Sequence, residues 1–229
     1  MNKPLVSIIT PSFNSENFIR ETIESIINQT YRNWELLITD DNSSDKSFEI
    51  INSYVKKDSR IKLFQLKHNS GAGVARNKSI SEANGRYIAF CDSDDGWMAE
   101  KLEKQVAFLT DNNLSFTYCG YEVINEEGGA TGKVIPPLEI SYNKMLKNNY
   151  VGCLTAIYDS KKIGKQFMPE IRKRQDWLLW LNILKKYGPT KGMPEALAKY
   201  RNRNKSISSN KVLLLKYNWL VYNKELGFN

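Results

Sequence analysis

The sequence predicts an α/β fold, an α/β/α sandwich around a mostly parallel central sheet. Three observations carry that expectation. Short β-branched runs alternate with stretches of helical periodicity over the first 120 residues. The turns between them are short, and the turns richest in Asp, Asn, Ser and Gly all follow strands. Alternation with short connections builds right-handed βαβ units and therefore parallel pairing.

The elements follow in order. "LVSIIT" (5–10) is the first strand, and it ends at Pro11. Phe18, Ile19, Thr22, Ile23, Ile26 and Ile27 then recur at helical spacing, with Asn14 and Ser15 as N-cap candidates. "WELLIT" (34–39) is a second strand closed by "DDNSSD", and Phe48, Ile51 and Val55 mark a second helix. "IKLFQL" (61–66) leads through "HNSGAG" into a helix over 73–83. "RYIAFC" (86–91) leads through "CDSDDGW" into a helix carrying Leu102, Val106 and Leu109. After about residue 113 the rhythm changes. "LSFTYCGYEVI" alternates, "NEEGGATGKVIPP" reads as a hairpin or mobile loop, and "VGCLTAIYD" (151–159) reads as a strand. Residues 176–187 read as a helix with Trp177, Leu178, Leu181 and Leu184 on one face. From Lys211 the tail is a basic amphipathic helix. The expected organisation is one domain over 1–208, with halves 1–112 and 113–208, followed by a C-terminal helix over 209–229.

Composition narrows the function classes. With 229 residues, 41% apolar and 25% charged, the chain can bury a substantial core as one domain with a small appendage. No apolar run approaches the ~18–20 residues that span a bilayer. The apolar stretch in "MNKPLVSIITPSF" is too short for a signal peptide. Cys91, Cys119 and Cys153 are odd in number and lie in apolar stretches, which predicts buried free thiols and a cytoplasmic location. A single His68 and scattered cysteines exclude the usual zinc patterns. Charge is uneven: residues 1–140 hold 15 Lys+Arg against 20 Asp+Glu, and residues 141–229 hold 18 against 5. The basic half points to an anionic partner such as phosphate groups, anionic lipid head groups or nucleic acid; a solvated basic face is the plainer alternative. No helix-turn-helix, RRM or KH pattern supports nucleic acid.

The strand-end turns carry the chemistry, because ligands of open parallel sheets bind outside the carboxyl ends of the strands. Asp, Asn, Ser and Gly favour turns and caps in any case, which accounts for one such turn better than for four on one edge. Gly71-Ala72-Gly73 begins a G-x-G-x-x-G pattern, but Arg76 stands at its third position, and there is no G-K-[ST]. Asp92, Asp94 and Asp95 repel one another unless water, a helix start or a cation offsets the charge. An Asp-x-Asp at a strand end, with oxygen donors only, suits Mn2+ or Mg2+ shared with substrate phosphates. Asp94 then holds the metal, Asp92 reaches the ribose, and Asp95 supports them or caps the next helix.

"VSIITPSFNSENFIRETIESIINQTYRNWELLITDDNSSD", "NSGAGVARNKSI", "GRYIAFCDSDDGWMAEKLEKQV", "RQDWLLWLNI" and "YRNRNKSISSNK" occur in order through nearly the whole chain. Together they resemble family 2 inverting glycosyltransferases of the GT-A fold, more narrowly the small bacterial enzymes that build surface polysaccharides such as O-antigen, capsule or lipooligosaccharide. The resemblance implies a nucleotide-sugar donor, most often a UDP sugar, a divalent metal, and a glycan or lipid-linked oligosaccharide acceptor. It implies a Rossmann-like nucleotide-binding half and an acceptor half. It places Thr10, Pro11 and Asn14 at the nucleotide, Asp41 on uracil, Gly71, Arg76 and Asn77 at the nucleotide and donor sugar, and Asp92 and Ser93 beside metal-binding Asp94. Asp176 of "RQDW" matches the catalytic base, with Gln175 where the family often has an acid. Many relatives carry a His where Arg203 stands. Arg cannot ligate a cation, so Arg203 and Lys205 are expected on the diphosphate.

Chemistry supports Asp176 separately: inverting transfer needs one carboxylate to take the acceptor hydroxyl's proton, while an acidic diphosphate leaves without a general acid. Asp176 is the sole acid between Glu170 and Glu195. The plainer reading is an acid favoured at a helix start by the macrodipole. Trp97 and Trp177 are candidates for stacking on the acceptor, and Trp180 reads as core. In the tail, Leu213, Leu214, Tyr217 and Leu220, flanked by Lys211, Lys216 and Lys224, could lie on the cytoplasmic face of the inner membrane or pack on the protein's own core. A non-catalytic nucleotide-sugar-binding protein is the competing function.

Overall fold

The computed structural model of the chain describes residues 3–203, 217–225 and 227. Its first elements are β1 (Val6–Ser12), α1 (Ile19–Ile27), β2 (Trp34–Asp40), α2 (Ser47–Val55), β3 (Ile61–Gln65), α3 (Ala72–Glu82) and β4 (Tyr87–Phe90). Then come β5 (Gly96–Trp97), α4 (Lys101–Asp111), β6 (Phe116–Thr117), β7 (Cys119–Ile124), β8 (Ala130–Val134), β9 (Glu139–Ile140) and α5 (Tyr142–Lys147). The last are β10 (Ile157–Asp159), α6 (Ser160–Ile163), α7 (Gln175–Tyr187), β11 (Thr190–Lys191) and β12 (Met193–Arg201).

The main sheet has the order β3-β2-β1-β4-β10-β6. β3, β2, β1 and β4 are parallel, and β10 runs antiparallel to both of its neighbours. Every residue of β1, β2 and β4 is buried, as expected for strands covered on both faces. Strand alternation sorts β1 into two cores. Val6 and Ile8 join Ile19, Ile23 and Ile26 of α1 on one side, while Ile9 joins Ile80 of α3 and the face of α7 on the other. Trp180 of α7 stacks on Phe116 and meets the edge of Phe90, so it is core as predicted. β1 leads outward to β2, whereas β4 lies on its other side; this reversal leaves a crevice at the carboxyl ends of β1 and β4.

A second sheet, β5-β12-β7-β8, stands beside the first. β5 begins directly after the acidic turn and pairs with β12 through Trp97↔Ala198 and Gly96↔Lys199. The Gly-rich segment is a hairpin, β7 paired with β8, rather than a mobile loop.

Several expectations are corrected. The strand expected over 151–159 is confined to β10; a 3-10 turn at Cys153–Thr155 precedes it, because the Thr155 and Ala156 amides fold back onto the Gly152 and Cys153 carbonyls. Ser15 does not cap α1 with its side chain. Its carbonyl accepts from Phe18 and Ile19, and its hydroxyl bonds Ser12 at 2.8 Å. Trp97 and Trp177 are buried, with indole N–H groups donated to the Leu154 carbonyl (3.0 Å) and the Met145 carbonyl (2.8 Å), so neither offers a face to an acceptor. Cys91 and Cys119 are buried free thiols, but Cys153 is half-buried. Lys211, Leu213, Leu214 and Lys216 of the tail lie outside the described residues. In the described part, Tyr217, Leu220 and Tyr222 pack against the core that holds α7.

Gly192 marks one tight approach that the fold requires. A Cβ there would sit 2.1 Å from the ring of Tyr118, a buried residue whose hydroxyl is fixed to the Pro137 carbonyl at 2.7 Å. Gly192→Ala should therefore destabilise the protein by about 1–3 kcal/mol through overpacking. A urea midpoint unchanged from wild type would show that the ring can yield.

Candidate active site

The carboxyl ends of the parallel strands are bound to one another by side chains. After β1, Asn14 adopts a left-handed conformation (φ 46°). Its amide donates to the Ser43 hydroxyl at 3.0 Å, and its Oδ1 accepts from the Ser44 amide at 2.9 Å. After β2, Asp41 is buried and clamps the next loop: Oδ1 accepts from the Ser70 amide and Oδ2 from the Gly71 amide, each at 2.7 Å. Gly71 takes φ 92°, a conformation that favours glycine, and α3 starts from it. Thr10 and Pro11 are buried at the end of β1, with Pro11 opposite Thr39, and among the described residues the Thr10 hydroxyl has no partner.

Each acid of the "DSDD" turn is met by an arginine. Asp92 Oδ1 accepts from Arg76 Nη2 at 2.6 Å, and Asp94 Oδ2 accepts from Arg203 Nη1 at 3.0 Å. Asp95 Oδ1 accepts from the backbone amide of Arg201 at 2.9 Å. The buried Arg201 side chain donates from Nε to the Asp94 carbonyl (3.0 Å) and from Nη2 to Glu21 (2.5 Å). Arg201 and Arg203 both lie over the Phe18 ring, at 5.1 and 4.7 Å. Burial, and then the like charge of Asp92, push the Asp94 carboxyl above the usual carboxylate range. Burial raises Asp95 further still, with Asp94 and Asp92 adding to it. Asp95 is thus a strut between the acidic turn and β12 rather than a cap on the next helix. Ser93 is half-buried between Asp92 and Asp94.

Arg76 lies in the α3 turn nearest α7. It is buried; burial works against its charge, but Asp92, with Cys153 and Asp176, outweighs that and holds the guanidinium protonated. Its Nη1 donates to Gln175 Oε1 at 3.4 Å, and its Nε has no partner among the described residues. A Cβ at Gly73 would fall 2.5 Å from the Gln175 amide nitrogen, so the missing side chain lets α3 and α7 approach. That approach sets Asp176, in the first turn of α7, in the field of Arg76. Asp176 is half-buried, and its Oδ2 accepts from Asn149 Nδ2 at 3.0 Å. Burial raises its pKa; Arg76 and the Asn149 bond oppose the rise, and Asp92 adds to it. Cys153 shares this neighbourhood, its thiol pushed up by burial and lowered by Arg76.

The structure therefore brings Arg76, Asp92, Asp94, Asp176 and Arg203 into one contiguous network. Asn77 is engaged elsewhere: its amide bonds both the carbonyl (2.9 Å) and the amide (2.7 Å) of Met168. Lys205 lies outside the described residues. Among the described residues no three His, Cys, Asp or Glu side chains form a metal cage. The donor set still fits a hard divalent cation, which commonly takes one or two carboxylates and completes its shell with substrate phosphates. Asp94 and Asp92 supply such oxygens, and a cation would relieve the repulsion that raises Asp94. Residues not anticipated from sequence are Asn149, Arg201 and Phe18. Arg201 stood in the quoted "YRNRN", Phe18 was read only as part of the helical period of α1, and Asn149 carried no signal.

Residues 7–172 match the family described as Glycosyl transferase family 2. The chain is 46% identical, over 96% of its length and 88% of the relative's, to the putative teichuronic acid biosynthesis glycosyltransferase TuaG of Bacillus subtilis. It is 45% identical, over 96% of its length and 86% of the relative's, to the Escherichia coli UDP-Glc:alpha-D-GlcNAc-diphosphoundecaprenol beta-1,3-glucosyltransferase WfgD. Among solved structures, S. aureus TarS 1-349 in complex with UDP-GlcNAc superposes with a TM-score of 0.75 and 22% identity, over 95% of this chain and 67% of that one. The architecture is the GT-A fold.

The electrostatics of Asp176 give a stability prediction. Its carboxyl binds a proton more tightly folded than unfolded, so ionisation costs stability as pH rises from about 3.9 through the higher folded value. Asn keeps the shape and does not titrate. Asp176→Asn should therefore be at least as stable as wild type at pH 7, with any advantage shrinking toward pH 3. Thermal unfolding across pH checks this; a lower melting temperature at pH 7 contradicts it.

Proposed function

From the premise that this chain belongs to glycosyl transferase family 2, we propose that it moves a sugar from a UDP sugar to a lipid-linked glycan, with inversion, in bacterial surface-polysaccharide synthesis. The observation that carries the reading is the pairing, through Arg76, of the acidic turn with a half-buried carboxylate at the start of α7. The names of TuaG and WfgD support the pathway class and a diphosphoundecaprenol-linked acceptor. We assign the donor to residues 1–112 and the acceptor to 113–208. Among the described residues no helix is long and apolar enough to cross a membrane, and action on a lipid-linked substrate favours peripheral attachment at the cytoplasmic face of the inner membrane.

The loops after β1, β2 and β3 form the nucleotide pocket in this reading, with Asp41 already fixing the backbone at 70–71. Arg203 holds the Asp94 carboxylate in this structure and, in our reading, turns its paired N–H donors to the diphosphate once donor arrives. Mn2+ or Mg2+ held by Asp94, with Asp92 beside it, would offset charge developing on the leaving diphosphate. Asp176 accepts the proton of the acceptor hydroxyl as that oxygen bonds the anomeric carbon; the bond from that carbon to the diphosphate oxygen breaks, and UDP leaves with the electron pair. Asn149 keeps one carboxylate oxygen of Asp176 engaged and so sets its orientation. A base with a raised pKa is better matched to proton abstraction near neutral pH.

Asp176→Asn should bind UDP with wild-type affinity while transfer falls about 10²–10⁴-fold, the usual worth of a general base. Transfer within tenfold of wild type removes Asp176 from that role. In wild type, kcat/KM should fall as acidification protonates Asp176, at a pH above that of an ordinary carboxylate.

Asp94→Ala tests the other half of the site. Calorimetry should show Mn2+-dependent UDP binding in wild type and none in the variant, with the fold intact by circular dichroism. Equal UDP affinity in excess EDTA would dismiss the cation.

A further inference from the structure

Arg201 and Arg203 approach the acidic turn side by side, both over the Phe18 ring, yet they are held differently. The Arg201 side chain is buried, and its guanidinium is committed to fixed partners: the Asp94 carbonyl at 3.0 Å, the Glu126 carbonyl at 2.8 Å and Glu21 at 2.5 Å. The Arg203 side chain is 29% exposed, and among the described residues its guanidinium makes one hydrogen bond, from Nη1 to Asp94 Oδ2 at 3.0 Å. The Phe18 ring lies 4.7 Å from that guanidinium. A ring face attracts a cation without fixing where its N–H groups point, so this contact survives a turn of the guanidinium that would break the bond to Asp94.

We infer that Arg203 and the divalent cation compete for Asp94, and that a nucleoside diphosphate ends the competition by drawing Arg203 onto its own oxygens. The inference rests on the reading of Asp94 as the metal ligand and adds a coupling to it: cation and nucleotide each raise the other's affinity through this arginine. The charges set the direction. Asp94 Oδ2 accepts from a guanidinium, so a cation on the same carboxylate faces positive charge across it and must displace Arg203 or bear the repulsion. The neighbouring acids do not relieve this, since Asp92 is matched by Arg76 and Asp95 accepts from the Arg201 amide. A diphosphate changes the balance. A guanidinium binds phosphate oxygens through paired N–H donors, against the single bond it makes to Asp94. With Arg203 on the diphosphate, Asp94 is released to the cation, which shares the same phosphate oxygens. Two ligands that favour the same arrangement of one arginine are coupled, and the coupling is equal in both directions.

The experiment measures Mn2+ binding, with and without UDP, from the electron paramagnetic resonance signal of the free ion, and needs no transfer. Arg203→Gln keeps a side-chain stem over Phe18 and removes the charge. Without UDP it should bind Mn2+ about fivefold or more tightly than wild type. The factor by which UDP strengthens Mn2+ binding should shrink correspondingly. Lys199→Gln is the charge-matched control: Lys199 pairs with Gly96, directly after the acidic turn, and among the described residues no ion pair joins it to Asp94. Its Mn2+ affinity should match that of wild type. An Arg203→Gln variant no tighter than wild type, or no tighter than Lys199→Gln, overturns the proposal, and so does a UDP effect of equal size in Arg203→Gln and wild type. Wild type with UDP is measured in the same series. Absence of Mn2+ binding there counts against Asp94 as a metal ligand, whereas binding there with no gain in the variant removes the competition alone.

Discussion

The ion pair between the buried Arg76 and the half-buried Asp92, at 2.6 Å, is the interaction on which the rest of the site depends. It joins the start of α3 to the turn after β4, two segments that belong to successive βα units. A buried guanidinium without its counter-charge would be costly, so the pair fixes both elements. Through Gln175 the same arginine meets α7, and Gly73 leaves the space for that contact. Asp176 consequently shares an electrostatic neighbourhood with Asp92, 84 positions earlier in the chain.

The second sheet completes the arrangement. β12 ends with Arg201, whose amide binds Asp95 and whose side chain binds the Asp94 carbonyl. The acidic turn is therefore held from behind by backbone and from the front by Arg76 and Arg203. This accounts for three close carboxylates without requiring all three to meet a ligand: Asp95 is structural, Asp92 is matched by Arg76, and Asp94 is the least committed. The Arg203–Asp94 contact, at 3.0 Å, is partly exposed on both sides.

Much of this was legible in the sequence because it follows from local rules. The four parallel strands were readable from β-branched runs, and the shared rim follows from parallel pairing alone. Asp92, Asp94, Arg76 and Asp176 stood out as acids and bases in short motifs. What was not legible depends on long-range packing. The 3-10 turn at Cys153–Thr155 is held by the Trp97 indole, which sequence periodicity cannot report. Trp177 looked available for stacking, yet its indole N–H is taken by the Met145 carbonyl across the α5–α7 contact. Asn77 sits in the same motif as Arg76, but one residue along a helix turns it about 100° away, toward Met168. Asn149 meets Asp176 from a loop with no pattern of its own.

The central claim is that Asp176 takes a proton while the acceptor oxygen attacks the anomeric carbon from the side opposite the diphosphate. The most direct test is the anomeric configuration of the product, read by proton NMR coupling constants after transfer from a UDP sugar of known configuration. A single displacement assisted by one base gives the inverted anomer. A product that retains the donor's configuration would contradict the account, because a single displacement from the side opposite the diphosphate inverts the anomeric carbon.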